Sequence, residues 1–229
     1  EIIDEVQKIN AITQIKKMGF HQAAGNKLIQ LVGSEIINSY ADKLSKVIFK
    51  SQELSPINIV FTPLHGTGYK IVPMILQKFG FTNVHVVEKQ ANPDGNFPTV
   101  ASPNPEEPEA LTMAIALAKT INADIVLATD PDADRMGVAF KDTNGEYTLI
   151  NGNQIGSMLL YYILLQRQHH NRLPRNSFVV KTIVTTELQQ AIADHFHVTM
   201  ENVLTGFKWI AKKMQEYEHT HTFIFGGEE

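Results

Sequence analysis

Two kinds of hydrophobic pattern divide the chain near residue 56. Before it, residues 2–15 and 34–49 carry apolar side chains at i, i+3, i+4 and i+7 spacing, which predicts two amphipathic helices. After it, short apolar runs alternate with amphipathic stretches. This alternation predicts a β-α-β-α-β series, at residues 57–62, 68–79, 83–88, 106–121 and 123–129. Such a series is typical of a parallel sheet with helical crossovers.

A second series follows a predicted hairpin at residues 136–150, whose turn is Asn144-Gly145. Helices and strands then alternate again, at residues 152–168, 177–184, 186–196, 197–204, 206–217 and 221–227. We therefore predict an α/β fold of two tandem domains, each a mostly parallel sheet flanked by helices. The predicted boundaries are 1–150 and 151–229.

Composition narrows the classes of protein that fit. The 229 residues are 43% hydrophobic with a net charge of -4, which is ordinary for a globular protein and gives no basic patch for nucleic acid. Cysteine is absent, which excludes disulfides and thiolate metal sites and fits a cytoplasmic location. No apolar run approaches the length of a membrane span. The first residue is Glu and an apolar strand precedes the last residues, so we expect a fragment of a longer protein.

Three aspartates at alternate positions directly follow the predicted strand 123–129. Asp130, Asp132 and Asp134 would repel one another on a single turn unless a cation lies between them. Ligands bind beyond the carboxyl ends of parallel strands, and Mg²⁺ prefers oxygen ligands. The pattern therefore predicts a Mg²⁺ site, with a merely solvated acidic turn as the alternative.

The residues around these aspartates refine that prediction. A calcium loop of the EF-hand type would need glycine at its sixth place and glutamate at its twelfth, where this chain has Arg135 and Lys141. The guanidinium of Arg135 can instead bind a phosphate oxygen beside the metal. A metal and an arginine together favour phosphoryl transfer, in which positioning and charge neutralisation provide most of the catalysis.

Three motifs in this order resemble the α-D-phosphohexomutase superfamily, which includes phosphoglucomutases and phosphomannomutases. They are "TPLHGTGY", "NPDGNFPTVASPNPEEPEAL" and "TDPDADR". The resemblance implies four domains around one cleft, bearing in turn a phosphoserine, a metal loop, a sugar loop and a phosphate loop. This chain is similar to the second and third, so the first and fourth domains of the same chain would be its partners, together with a sugar phosphate.

The resemblance also implies roles for particular residues. Asp130, Asp132 and Asp134 would bind Mg²⁺, and Arg135 would contact the transferring phosphoryl group. The family's G-E-x-S sugar loop matches Gly227-Glu228-Glu229 in its first three places, so Glu228 would bind sugar hydroxyls. The segment "LTGFKWIAKKM" resembles one near the sugar, which would place three more residues in the cleft: Thr205, Gly206 and Lys208.

Each of these residues also has a simpler interpretation. Thr205 could be the N-cap of the following helix, Lys208 a solvated lysine, and Glu228 part of a polar loop. His65 could face the catalytic centre or satisfy its own turn, and the sequence leaves both open. Ser102, in "ASPNP", superficially resembles the family's phosphoserine motif T-x-S-H-N-P but lacks its histidine, so we do not expect it to be the nucleophile.

The implied function is a mutase that interconverts hexose 1-phosphate and 6-phosphate, with glucose favoured, through a bisphosphorylated sugar. The phosphoserine would lie on another domain, so this chain alone would be inactive. Mannose or pentose phosphates remain alternative substrates. A metal-dependent phosphohydrolase and a non-catalytic sugar-phosphate binding module are alternatives from other classes.

Overall fold

The computed structural model describes residues 2–49 and 56–229, and the chain divides into two compact units, residues 1–46 and 47–229. The first unit is helical. It contains α1 (Ile2–Gln7), a short 3-10 helix (Ile12–Gln14), α2 (Phe20–Gly25) and α3 (Ser34–Leu44).

The two helices predicted in this unit are shorter than expected. The prediction of one helix over 2–15 is wrong beyond Gln7, because Asn10 forms local hydrogen bonds that compete with the helical pattern. Its side-chain amide donates to the Lys8 carbonyl at 3.3 Å, and its backbone N–H donates to the Gln14 side chain at 2.8 Å. Ile12 is 76% exposed, so packing does not compensate. The helix predicted over 34–49 likewise ends at Leu44.

The second unit begins with a five-stranded sheet. Its strands are β1 (Ile59–Thr62), β2 (Val84–Val86), β3 (Ile125–Thr129), β4 (Met136–Lys141) and β5 (Tyr147–Ile150), in the order β2-β1-β3-β4-β5. β1 pairs in parallel with β2 and β3, whereas β3-β4 and β4-β5 are antiparallel. The sheet is therefore mixed, and its antiparallel part is the predicted hairpin. Gly145 has φ +85° in the turn of that hairpin, a conformation that favours glycine.

Helices of this sheet occupy the crossovers between the parallel strands. They are α4 (Gly68–Lys78), α5 (Glu88–Ala91) and α6 (Thr112–Ile121). Ala114 and Ala118 of α6 are fully buried against Val60 and Val126 of the sheet. The helix predicted over 106–121 starts late, because the Asn104 side chain accepts a hydrogen bond from the Glu106 N–H at 3.1 Å and holds a turn there.

A three-stranded sheet follows, with all its strands parallel in the order β7-β6-β8. It consists of β6 (Ser177–Thr182), β7 (Thr199–Val203) and β8 (Thr222–Gly227), with α7 (Gly152–His169), α8 (Leu188–His195) and α9 (Phe207–Tyr217) between and around them. Asn151 caps α7 in a capping box with Gln154.

The central strand β6 is buried along its whole length, and its two faces belong to different clusters. Val179 packs with Leu160, Leu164 and other residues of α7 and α8, whereas Phe178 and Val180 pack with Ile210 of α9. A strand covered on both faces needs apolar side chains at consecutive positions, which explains the unbroken run in the sequence. The predicted α/β class with sheets flanked by helices is confirmed; the boundary at residue 150 stays a prediction.

In the described ranges 2–49 and 56–229, every helix is too short or too polar to cross a lipid bilayer.

The loop before α4 packs directly on the loop that follows β3. The Thr67 N–H donates to the Pro131 carbonyl at 2.8 Å. Gly66 lies so close that a Cβ atom there would be 2.6 Å from the Pro131 carbonyl oxygen. This contact needs the absence of a side chain at residue 66, and it fixes the loop that carries the three aspartates.

Substitution of Gly66 by alanine should therefore destabilise the protein, because either the Pro131 backbone or the strand end must move. We expect a loss of about 1–3 kcal/mol in the free energy of unfolding, measured by urea denaturation. Gly95 is the matched control, since a Cβ atom there would meet nothing within 4 Å. Equal stability of the two alanine variants would contradict the proposed steric constraint.

Candidate active site

A cleft of about 580 Å³ lies within the unit 47–229, where the loop after β3 faces the loops of the second sheet. The first sheet and its loops contribute mainly charged side chains to the cleft. The second sheet and its helices contribute mainly glycines, apolar side chains and two glutamates. Its lining residues are Glu106, Asp130, Asp132, Asp134, Arg135, Met136, Gly152, Ile155, Gly156, Leu159, Gln189, Gly206, Phe207, Phe225, Gly227, Glu228 and Glu229.

The three aspartates converge at the end of β3. One carboxylate oxygen from each lies within 4.8 Å of the others. Asp130, which directly follows the strand, is 2% exposed, whereas Asp132 and Asp134 are exposed. Ala133 has φ +62°, and this left-handed residue turns the chain so that the aspartates on either side face the same point. The backbone therefore brings like charges together.

Arg135 compensates part of this negative charge. Its backbone N–H donates to Asp130 Oδ1 at 3.0 Å, and its Nε donates to Asp130 Oδ2 at 3.1 Å. Burial acts to raise the pKa of Asp130, but these hydrogen bonds outweigh it and hold the pKa below its ordinary value. The hydrogen bond with Asp130 and the charges of Asp130 and Asp134 raise the pKa of Asp132.

This donor set fits a hard divalent cation. All three groups are carboxylates, and two oxygens bound to one Mg²⁺ lie at most about 4 Å apart, twice the metal–oxygen distance. At least two of the three oxygen pairs would be neighbours on an octahedral ion, about 3 Å apart, so the exposed Asp132 and Asp134 would turn inward from a separation of up to 4.8 Å. Asp130 is also anchored by Arg135, so one ligand would be fixed before a cation arrives.

His65 belongs to the supporting loop rather than to the lining of the cleft. It is 5% exposed, and its ring nitrogens Nδ1 and Nε2 lie 3.3 Å from the Asn92 carbonyl and 2.8 Å from Thr99 Oγ1. Its backbone has φ +61° and bonds to Gln90 and Asp94. Of the two roles left open by the sequence, the contacts favour the structural one.

Ser102 is similarly placed outside the lining of the cleft. Its Oγ donates to Glu107 Oε1 at 3.2 Å, in the loop before α6. The side chain is partly buried and is not among the residues that line the cleft. The arrangement agrees with the expectation that Ser102 is not a nucleophile.

On the other side of the cleft, two of the sequence-predicted residues lie together. The Gly206 N–H donates to Glu228 Oε2 at 2.7 Å, and both residues line the cleft. Thr205 and Lys208 do not line it: Thr205 is exposed, and the Lys208 ammonium lies 5.3 Å from the centre of the Trp209 ring.

The interpretation of Thr205 as a helix N-cap is wrong. Gly206 occupies the N-cap position of α9 with φ +107°, and no side chain caps the helix there. This φ is one that residues with a side chain rarely adopt, so the chain uses glycine to turn into the helix. Of the residues around this turn, Gly206 and Phe207 line the cleft, whereas Thr205 and Lys208 do not.

Sequence reasoning missed several lining residues. Glu106 accepts a hydrogen bond from the Gly152 N–H at 3.2 Å and so links the loop before α6 to the start of α7. Gln189 is 2% exposed in α8 and also lines the cleft. A glutamine on the apolar face of a predicted helix is a signal that could have identified it.

Comparisons with known proteins show which family this chain is similar to. The model for "Phosphoglucomutase/phosphomannomutase, alpha/beta/alpha domain II" matches residues 38–145, and that for domain III matches residues 151–229. A phosphoglucomutase of Staphylococcus haemolyticus is 40% identical, covering 85% of this chain and 34% of that protein. A phosphoglucomutase of Staphylococcus aureus strain USA300 is 42% identical, covering 76% and 31%. The chain thus spans about a third of the length of these relatives.

Solved structures show the same fold. A phosphoglucomutase/phosphomannomutase family protein from Burkholderia thailandensis aligns with TM-score 0.65 and 22% identity, over 84% of this chain and 37% of that one. The Aspergillus fumigatus N-acetylphosphoglucosamine mutase, in complex with GlcNAc-6P and magnesium, aligns with TM-score 0.55 and 15% identity, over 79% and 34%. With two consecutive domain models matched across most of its length, the chain belongs to the phosphoglucomutase/phosphomannomutase family.

Proposed function

We propose that this chain is the second and third domains, residues 1–150 and 151–229, of a cytoplasmic phosphohexomutase. The intact protein, meaning the longer chain that carries these domains, interconverts glucose 1-phosphate and glucose 6-phosphate. The observation that carries the proposal is that the three aspartates and Arg135 share one cleft with Gly206 and Glu228. One small ligand could therefore contact both the charged groups that would bind a phosphoryl group and the acceptors that would bind sugar hydroxyls.

Asp130, Asp132 and Asp134 would hold Mg²⁺ in this proposal. When bound, the ion offsets negative charge on the transferring phosphoryl group. The role of the chain itself is to gather the carboxylates beforehand, through the buried Asp130, the turn at Ala133 and the support of Pro131 by the neighbouring loop. Arg135 holds Asp130 and directs its remaining N–H groups at the phosphoryl oxygens.

Glu228 would bind the sugar hydroxyls. Its Oε2 already accepts a hydrogen bond from the Gly206 backbone, which leaves Oε1 for the ligand and fixes the direction of the carboxylate. Thr205 and Lys208 adjoin this position and would contact the sugar only if the loop before α9 moves. The phosphoserine that donates the phosphoryl group lies on a domain outside this chain, and the intermediate is a bisphosphorylated sugar.

The test is an exchange assay with the intact protein, in which glucose 1-phosphate and glucose 6-phosphate interconvert. We expect turnover with Mg²⁺ and its loss with EDTA, restored by added Mg²⁺. Activity independent of the metal would contradict the metal assignment, and release of free phosphate would favour a phosphohydrolase. Turnover by the 229-residue chain alone would mean that the nucleophile lies within it. Faster turnover of mannose or pentose phosphates than of glucose phosphates would assign one of those sugars as the substrate instead of glucose.

The metal site can be tested by Mg²⁺ titration with Asp132→Asn. Removing one of three carboxylate charges should weaken Mg²⁺ binding by about tenfold or more, measured by isothermal titration calorimetry. Asp194→Asn provides the matched control, because this exposed aspartate of α8 lies outside the cleft and its carboxylate accepts a hydrogen bond from Gln190 in the same helix. Equal affinities of the two variants would exclude Asp132 as a ligand.

The sugar contact can be tested with Glu228→Gln in the intact protein. The amide keeps an acceptor for the Gly206 N–H but lacks the charge that strengthens a hydrogen bond to a sugar hydroxyl. We expect kcat/KM for glucose 1-phosphate to fall by about 10- to 100-fold. The exposed Glu218, which follows α9, is the control when changed to glutamine. An unchanged kcat/KM in Glu228→Gln would remove this residue from the sugar site.

A further inference from the structure

The guanidinium of Arg135 is held at two points rather than one. Its Nε donates to Asp130 Oδ2 at 3.1 Å, and its Nη1 donates to Asn104 Oδ1 at 3.3 Å. A single contact at Nε would let the half-exposed side chain pivot about that atom. Contacts at two nitrogens fix the plane of the group, and so determine where its remaining N–H groups point. Asn104 supplies the second contact.

Asn104 is itself held from both sides of its amide. Oδ1 also accepts from the Glu106 N–H at 3.1 Å, and Nδ2 donates to Glu107 Oε1 at 3.3 Å. Only one orientation of the amide satisfies these partners, because the backbone N–H and Arg135 need an acceptor and the carboxylate needs a donor. The acceptor oxygen therefore faces Arg135.

The loop that bears Asn104 packs closely against β4, the strand that follows Arg135. Gly137 lies two residues after Arg135, and a Cβ atom there would lie 2.8 Å from the Pro105 carbonyl carbon. The loop thus packs against β4 without an intervening side chain. Ser102 strengthens the same loop by donating to Glu107 Oε1 at 3.2 Å. The distance between Asn104 and Arg135 is consequently set by backbone packing.

On the basis of the proposed mutase function, we propose that Asn104 is a positioning residue that orients the Arg135 guanidinium toward the transferring phosphoryl group. Asn104 is not among the cleft-lining residues and acts through Arg135. Its removal leaves the bonds between Arg135 and Asp130 in place. Removal of the Asn104 side chain should therefore disturb the orientation of the Arg135 guanidinium and leave the cluster of three aspartates unchanged.

The first measurement compares kcat and KM for glucose 1-phosphate in the intact protein and its Asn104→Ala variant. We expect kcat to fall by about 10- to 100-fold, as for a misplaced catalytic group, with a smaller change in KM. Asn104→Asp combined with Glu107→Gln keeps the acceptor for Arg135 and a donor–acceptor pair between residues 104 and 107, and should retain most of kcat. Asn96→Ala is the control, since Asn96 lies in the same long loop and its side chain donates to Asp94 Oδ1 rather than to Arg135 or Glu107.

The second measurement separates positioning from a merely structural role. In an Arg135→Ala background, Asn104→Ala should change kcat by less than about twofold, because the group that it orients is gone. An equal loss in both backgrounds would overturn the proposal. So would an unchanged kcat in Asn104→Ala, or an effect confined to KM.

A spectroscopic readout keeps the two proposals distinguishable. If the unchanged intact protein lacks mutase activity, the proposed function fails. The orientation of Arg135 can still be tested by NMR of its Nε–H signal. That signal is assigned by its loss in Arg135→Lys. We expect this proton to exchange faster with water in Asn104→Ala than in Asn96→Ala. Equal exchange rates would overturn the positioning role.

Discussion

The repulsion among three carboxylates gathered at the end of β3 is the constraint on which the rest of the cleft depends. Charge alone cannot keep such a loop together, so its shape is imposed by uncharged contacts from outside. The Pro131 carbonyl accepts a backbone N–H from the loop before α4, and a glycine permits the close approach. Arg135 then offsets the charge of the buried member, Asp130. These contacts therefore hold the carboxylates of the loop near one another before a cation binds.

The order of strands and helices could be read from the sequence because it depends on periodic burial. The consecutive apolar residues of β6 and the alternating helices both follow from which faces are covered. The ends of helices were less predictable. Asn10 and Asn104 stop or delay a helix through hydrogen bonds to particular neighbours, and whether an asparagine makes such bonds depends on the local backbone.

The candidate site was predictable where its residues adjoin in sequence. Asp130, Asp132 and Asp134 lie on one turn, so their spacing alone indicates that they converge. Glu106 and Gln189 reach the cleft from distant segments, and only the packing of the two sheets brings them there. Thr205 and Lys208 illustrate the opposite case, because they are near Gly206 in sequence but are not among the residues that line the cleft, whereas Phe207 is. Closeness along the chain at a helix start therefore does not determine which residues reach the cleft.

The hydrogen bond between Gly206 and Glu228 has a consequence for how this family member can change over evolution. Its donor is a main-chain N–H, which every residue except proline possesses, so at the donor position only a change to proline would remove the N–H itself. The φ of +107° at Gly206 further restricts that position to glycine. The direction of the Glu228 carboxylate is thus inherited with the fold, and new sugar preferences would have to arise from the surrounding loops.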